Sequence, residues 1–342
     1  MTITPEQIVR LSRNTIKKSF FEYFICRTEV QTKHFILSEF YPKETVIRSA
    51  IGGIETSLGS TFWEKISIEI AKNNGFEILN PKIDFKEPKV IPVEISNLLT
   101  EYKNKRESQN ANIPLTDFTS ALRSLLIKSF PDDINLSFKE RLSKGTGVDI
   151  YLKKNSVRYA FELKTVQINA GSGPKFNETL MKWLIYDSLS QHKHKTAESF
   201  RCHVVIPYDP TSDSSWWSKF GGRAYPLDHK DLLLGEEYWS LISGIPDTLK
   251  YIKSAVKQLT DEGFSEIYKD SIHSSNPDSS IGIIQAMCGV KCLTNTKKTS
   301  IEFSTICDWI CCKCGHKFSK SVKWFKGECS CYNCKTSLFN FS

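Results

Sequence analysis

Gly147-Val148-Asp149-Ile150-Tyr151-Leu152 and Ala160-Phe161-Glu162-Leu163-Lys164-Thr165 are apolar runs with a few charges set into them, and the residues between them are polar. The pattern predicts two strands, Val148–Leu152 and Ser156–Thr165, joined by a tight turn at Lys153-Lys154-Asn155. Alternate side chains of a strand share a face, so Glu162 and Lys164 project together while Phe161 and Leu163 enter the core. Folding the chain back about the turn sets Asp149 opposite Glu162, within side-chain reach across the pair. Two carboxylates and a lysine therefore converge at one edge of an apolar hairpin.

Paired carboxylates hold a hard divalent ion through oxygen ligands, with Mg²⁺ the physiological candidate. Such an ion polarises a phosphoryl group and orients water. A neighbouring lysine positions that water or offsets the charge of the transition state. The structural alternative is a strand-edge ion pair that only stabilises the hairpin.

Val148-Asp149, twelve residues, then Glu162-Leu163-Lys164 resembles the motif of the PD-(D/E)xK nuclease superfamily, with valine in place of the proline usually written before the first acid. Around it, Phe161–Thr165, Lys175-Phe176-Asn177-Glu178, Met181-Lys182-Trp183 and Val205-Ile206-Pro207-Tyr208-Asp209-Pro210 are similar to a type II restriction endonuclease of the branch that recognises GG and CC separated by one unspecified base pair. The resemblance spans roughly residues 50–245. It implies an α/β (α+β) fold, a mixed β-sheet flanked by helices, and Mg²⁺-dependent hydrolysis of double-stranded DNA by Asp149, Glu162 and Lys164. It also adds an acid on an early helix as a third group of the metal shell, Glu64 with Glu69 as the competing acid; the alternative is a solvent-facing Glu64 beside Lys65. Two-fold-symmetric half-sites imply a homodimer.

Outward from the hairpin, apolar spacing predicts helices from Pro5, from about Ser60 to Asn73, from Asp117 to Phe130, from Asn177 to Leu189, near Tyr238–Ser243 and over Thr248–Leu259. Short strands are expected at Phe76–Leu79 and Cys202–Ile206. Glu101–Asn112 is polar and aperiodic and reads as a loop or frayed helix, and Ser271–Ser280 reads as a linker or mobile loop. Candidate DNA contacts are Lys175 and Lys182 after the catalytic strand, and Arg223 in Trp216-Trp217-Ser218-Lys219-Phe220-Gly221-Gly222-Arg223. The alternative for the lysines is a solvated helix face, and for the tryptophans core packing. No P-loop pattern occurs.

Nine of the 11 cysteines lie between Cys288 and Cys334. Cys311-x₂-Cys314 and Cys331-x₂-Cys334 have the spacing of a structural Zn²⁺ site, and Cys314-Gly315-His316-Lys317-Phe318 resembles a zinc-ribbon knuckle. Cys312, His316 and Cys329 leave the choice of ligands open. Lys323 and Lys326, beside Trp324 and Phe325, are candidate phosphate contacts; the alternative is a module that only stabilises or dimerises. The simplest division is an endonuclease domain over 1–270, a linker or domain edge over 271–300 and a zinc-binding module over 301–342.

The 342 residues carry 46 Lys+Arg against 38 Asp+Glu, a net charge of +8 compatible with DNA but not specific to it. No stretch has the length of a signal peptide or membrane span, and a reduced, cytoplasmic protein without a membrane partner is expected. A DNA repair or structure-selective nuclease, and a zinc-containing DNA-binding protein without catalysis, are the competing functions.

Overall fold

The computed structural model describes residues 3–25, 27, 35–108, 113–130, 136–143, 147–165, 173–196, 198–209, 231–273, 277–294, 302–326, 331 and 333–334. Two compact units emerge: one joins residues 1–5 to 66–250, the other 6–65 to 251–342.

The first unit holds a five-stranded mixed sheet in chain order: β1 (Glu77–Ile78), β2 (Ile150–Lys154), β3 (Val157–Leu163), β4 (Ser199–Ile206) and β5 (Leu232–Leu234). The β1–β2 and β2–β3 pairs are antiparallel, and β3–β4 and β4–β5 are parallel. Asn155 (φ 50°) and Ser156 (φ 60°) form a two-residue turn between β2 and β3, one residue later than the polar stretch placed it. Two successive positive φ values match the right-handed twist of the strands they join, and short polar residues tolerate that conformation better than branched ones.

The parallel β3–β4 step requires a crossover, supplied by the helix Gly173–His194. Leu180, Met181, Trp183, Leu184 and Ile185 of that helix are buried in one core with Phe118, Leu122, Tyr151, Val204 and Ile206. The helix begins before Asn177 because Phe176 and Asn177 are themselves buried. A helix at Leu115–Ser129 and another at Glu236–Ser243 fall close to the expected positions.

Of the two readings of Glu101–Asn112, the described residues bear out the helix and not the loop: Glu101–Glu107 ends the helix Val93–Glu107. Ile95, Leu98, Leu99 and Tyr102 pack on the core at helical spacing, and the next position of that face is taken by a buried arginine, Arg106. Ser271–Ser280 is not a linker either: the helices Lys269–His273 and Pro277–Cys288 occupy its described residues. Ser280, Ile281, Ile283, Ile284 and Met287 are buried, so small polar residues here lie on a packed helix.

In the second unit the helix Pro5–Phe24 packs Phe20 and Phe24 on Tyr268, at ring separations of 5.6 and 4.9 Å. Its sheet is antiparallel: β6 (Val290–Cys292), β7 (Ile306–Cys311) and β8 (Lys317–Ser321). Trp309 and Phe325 form its small core, 4.7 Å apart edge to face. A π-helical turn, Gly59–Trp63, precedes the helix Glu64–Asn73 where one continuous helix was expected. Among the described residues no helix is long and apolar enough to cross a membrane.

Candidate active site

Ile150 pairs with Phe161, and the Asp149 amide donates to the Phe161 carbonyl at 3.1 Å, so the register carries Asp149 to the level of Glu162. Asp149 is fixed further by its own side chain, whose Oδ2 accepts the Leu163 amide at 2.8 Å. Phe161 and Leu163 are buried in the core, as alternation requires. On the other face Lys164 Nζ lies 2.7 Å from Glu162 Oε1, with the lysine side chain 36% and the glutamate 16% exposed. The Lys164 amide donates to Val205 O at 2.8 Å, which holds the residue in line with the parallel strand.

Burial pushes the carboxyls of Asp149 and Glu162 above their ordinary values; for Glu162 the Asp149 charge pushes the same way. Lys164 opposes the shift at both acids, and Lys175 adds to that opposition at Glu162. Two partly buried acids whose desolvation the chain's own cations do not fully offset suit a cation between them. The donor set, two carboxylates, suits a hard divalent ion.

Sequence reasoning missed the support behind this edge. Phe176 places its ring under Lys164, whose Nζ stands 5.7 Å from the centroid. The next residue, Asn177, accepts from Arg106 Nε at 2.8 Å, and the Arg106 guanidinium also pairs with Asp231 just before β5. Arg106 and Asp231 side chains are 2% and 4% exposed. Phe176 and Asn177 were within reach of sequence reasoning, lying at the start of the crossover helix. Nothing in the local pattern around Arg106 announced its partners.

Removing one member of a buried ion pair strands the other, at about 3–5 kcal/mol. Arg106→Met is therefore expected to lower the urea unfolding free energy by that amount. Adding Asp231→Leu should return part of it, and a loss below about 1 kcal/mol in the single variant would show that the pair does not bind these elements together.

The other predicted residues are distributed as follows. Lys175 is exposed on the first turn of the crossover helix. Lys182 is held by Glu178 at 2.6 Å, and Glu178 also binds Lys103 at 2.5 Å, so its charge is shared within the helix surface. Glu64 opens the helix Glu64–Asn73 and belongs to the second unit. Lys323 is exposed in the short helical turn Val322–Lys326. Arg223 and Cys329 lie outside the described residues, as does the side chain of Lys326.

Among the described residues four cysteines come together. The sulfurs of Cys311, Cys314, Cys331 and Cys334 all lie within 4.8 Å of one another, and Cys314 Sγ is 3.4 Å from Cys331 Sγ. Cys312 is exposed, and the His316 ring stacks 6.4 Å from Phe318; neither joins the set. Gly315, at φ 71°, turns the knuckle, with its amide donating to Cys311 O at 2.9 Å. Four thiolates without an open position are the chemistry of a structural zinc site, and the cluster fits a small zinc-binding module.

A mixed sheet flanked by helices carries the acid–acid–lysine edge, and a four-cysteine cluster follows later in the chain. The family model described as "Type II restriction endonuclease, HinfI" matches residues 5–260, and the chain belongs to that family. The type II restriction enzyme MjaII of Methanocaldococcus jannaschii is 23% identical over 225 residues, a match covering 63% of this chain and 55% of that enzyme. The chain thus spans about half the length of that relative. No solved structure matches it.

Proposed function

We propose that the chain is a sequence-specific endonuclease that hydrolyses both strands of double-stranded DNA with Mg²⁺ and serves in restriction. The observation that carries this reading is the meeting of Asp149, Glu162 and Lys164 at one end of a single hairpin in a chain of the HinfI family. Asp149 and Glu162 would hold the ion, with Glu64 as a third acid. The ion, when bound, polarises the scissile phosphate and lowers the pKa of the attacking water. Lys164 keeps a positive charge beside the phosphoryl oxygens as negative charge grows on them. Phe176 limits where that ammonium can swing, and Lys175 offers a phosphate contact next to it. Lys182, Arg223, Lys323 and Lys326 are proposed as further DNA contacts.

The proposed target consists of GG and CC separated by one base pair, read from the similarity around residues 145–210. A two-fold target is most simply cut by two copies of the site, so the active form is proposed to be a homodimer. The functional modules are proposed to be 1–270 for cleavage and 301–342 for zinc binding, in a cytoplasmic protein.

Digesting a diverse, unmethylated DNA in Mg²⁺ or Mn²⁺ and sequencing the fragment ends tests this directly. Discrete ends at one interrupted palindrome support restriction, and GG and CC flanking one base pair would support the target. Preference for flaps, mismatches or ends would instead make the protein a repair nuclease. Tight specific binding without cleavage in either metal would leave only a DNA-binding protein.

A further inference from the structure

Arg106, a buried residue at the end of the helix Val93–Glu107, divides its guanidinium among three segments of the chain. Nε donates to Asn177 Oδ1 at 2.8 Å, and the two terminal nitrogens reach the Ile113 carbonyl and the Asp231 carboxylate. Two of those contacts end beside the acid–acid–lysine edge. Asn177 directly follows Phe176, whose ring lies under the Lys164 ammonium, and the two are only 1% and 7% exposed. Asp231 accepts the Val204 amide on its own carbonyl at 3.0 Å, and Val204 stands opposite Glu162 in the parallel β3–β4 ladder. One buried side chain therefore fastens both the seat of Lys164 and the strand neighbour of Glu162.

We infer that Arg106 is a positioning residue for the cleavage reaction, setting where the Lys164 ammonium stands by fixing Asn177 and Phe176. Stability alone does not call for it. Well-packed apolar side chains often replace a buried ion pair at no cost to folding. What they do not supply is direction: a planar guanidinium binds its acceptors at fixed angles, so the three segments keep one mutual geometry. The Lys164 ammonium needs such help, because its four-carbon stem is flexible and its side chain is 36% exposed. Charge stabilisation in a transition state depends on a cation held in place beforehand, and a misplacement of about 1 Å can cost about 10²-fold in rate. The purpose of this device rests on the nuclease reading, whereas the position of Lys164 is measurable with no DNA present.

Single-turnover cleavage by the full-length protein in Mg²⁺ reads the effect. Arg106→Met is expected to slow it about 10²-fold, while duplex affinity and the Ca²⁺-dependent melting shift stay near wild type. Adding Asp231→Leu should return stability but not rate, which a purely structural Arg106 would return together. Phe176→Leu keeps the ion pair and should slow cleavage in the same way, so the test stands if Arg106→Met fails to fold. In protein carrying ¹³C-lysine, the Lys164 ε-methylene signal, identified by its loss in Lys164→Ala, should differ from those of exposed lysines. It should move toward them in all three variants. Wild-type cleavage by the double variant or by Phe176→Leu, or a Lys164 signal unmoved by the loss of Arg106, overturns the inference and leaves the nuclease reading intact. A wild type that cuts no DNA but shows the signal change removes the nuclease reading and leaves Arg106 setting the place of Lys164.

Discussion

Asp149→Asn is expected to lower the rate of duplex cleavage by about 10³-fold or more, the scale of losing several kcal/mol of metal-derived stabilisation in the transition state. Glu162→Gln should do the same, for the same reason. Neither change should weaken the metal-free fold. Both acids have carboxyls raised above the ordinary 3.8 and 4.5 by burial. An acid with a raised folded-state pKa is a net cost to stability once it ionises, and the cost disappears as pH falls through the raised value. A neutral amide removes that cost at neutral pH while keeping a carbonyl that can accept the Leu163 amide in place of Asp149 Oδ2.

Thermal melts should therefore show the variants as stable as the wild type or more so without metal. With Ca²⁺ only the wild type should gain stability, since binding to the native state alone raises it. Protons and the divalent ion compete for the same oxygens, so wild-type cleavage should fall on acidification at a higher pH than ordinary carboxylates would dictate. Lys164→Ala should lose cleavage but keep the Ca²⁺ response if the lysine acts on the phosphate rather than as scaffolding. Near-normal cleavage by Asp149→Asn or Glu162→Gln would remove that residue from the site.

These residues were legible because the hairpin states its geometry locally. The period of two in Phe161-Glu162-Leu163-Lys164 separates core from edge, and a polar turn fixes which residues face each other across it. The four thiolates were legible for a similar reason, since a C-x₂-C knuckle is a local structure with local spacing. Arg106 and the helix it ends were not. Its partners Asn177 and Asp231 lie 71 and 125 residues away. A buried guanidinium at a position where the stripe calls for an apolar side chain reads as a surface residue. The helices over 269–288 escaped notice because serine-rich sequence reads as a loop when only composition is weighed. Its Ile281, Ile283, Ile284 and Met287 supply the burial that makes it a helix.

Removing zinc is expected to unfold the β6–β8 module while leaving the carboxylate edge able to bind a divalent ion. Among the described residues of the module the buried side chains are Val290, Trp309, Val322 and Phe325 besides its cysteines, a small core to hold a three-stranded sheet against the entropy of its chain. Four thiolates around Zn²⁺ would supply the difference, with apparent binding energies of about 10–16 kcal/mol in small zinc modules near neutral pH. The thiols differ in readiness to lose their protons. Burial pushes Cys311 up to about 11, whereas the backbone around His316 favours the thiolate of Cys314. Purified protein should carry about one Zn²⁺ per chain, released by mercurial titration and measured by elemental analysis. Cys331→Ser should lose most of it. Limited trypsin digestion reads the local consequence, because Lys313, Lys317 and Lys320 become cleavable when β7 and β8 separate. The Ca²⁺-dependent melting shift of the Asp149–Glu162 pair should survive in the same sample. Folded, protease-resistant protein without zinc would mean that the cysteines hold no structural metal. Loss of the Ca²⁺ response along with the zinc would mean that the two metal sites are not independent.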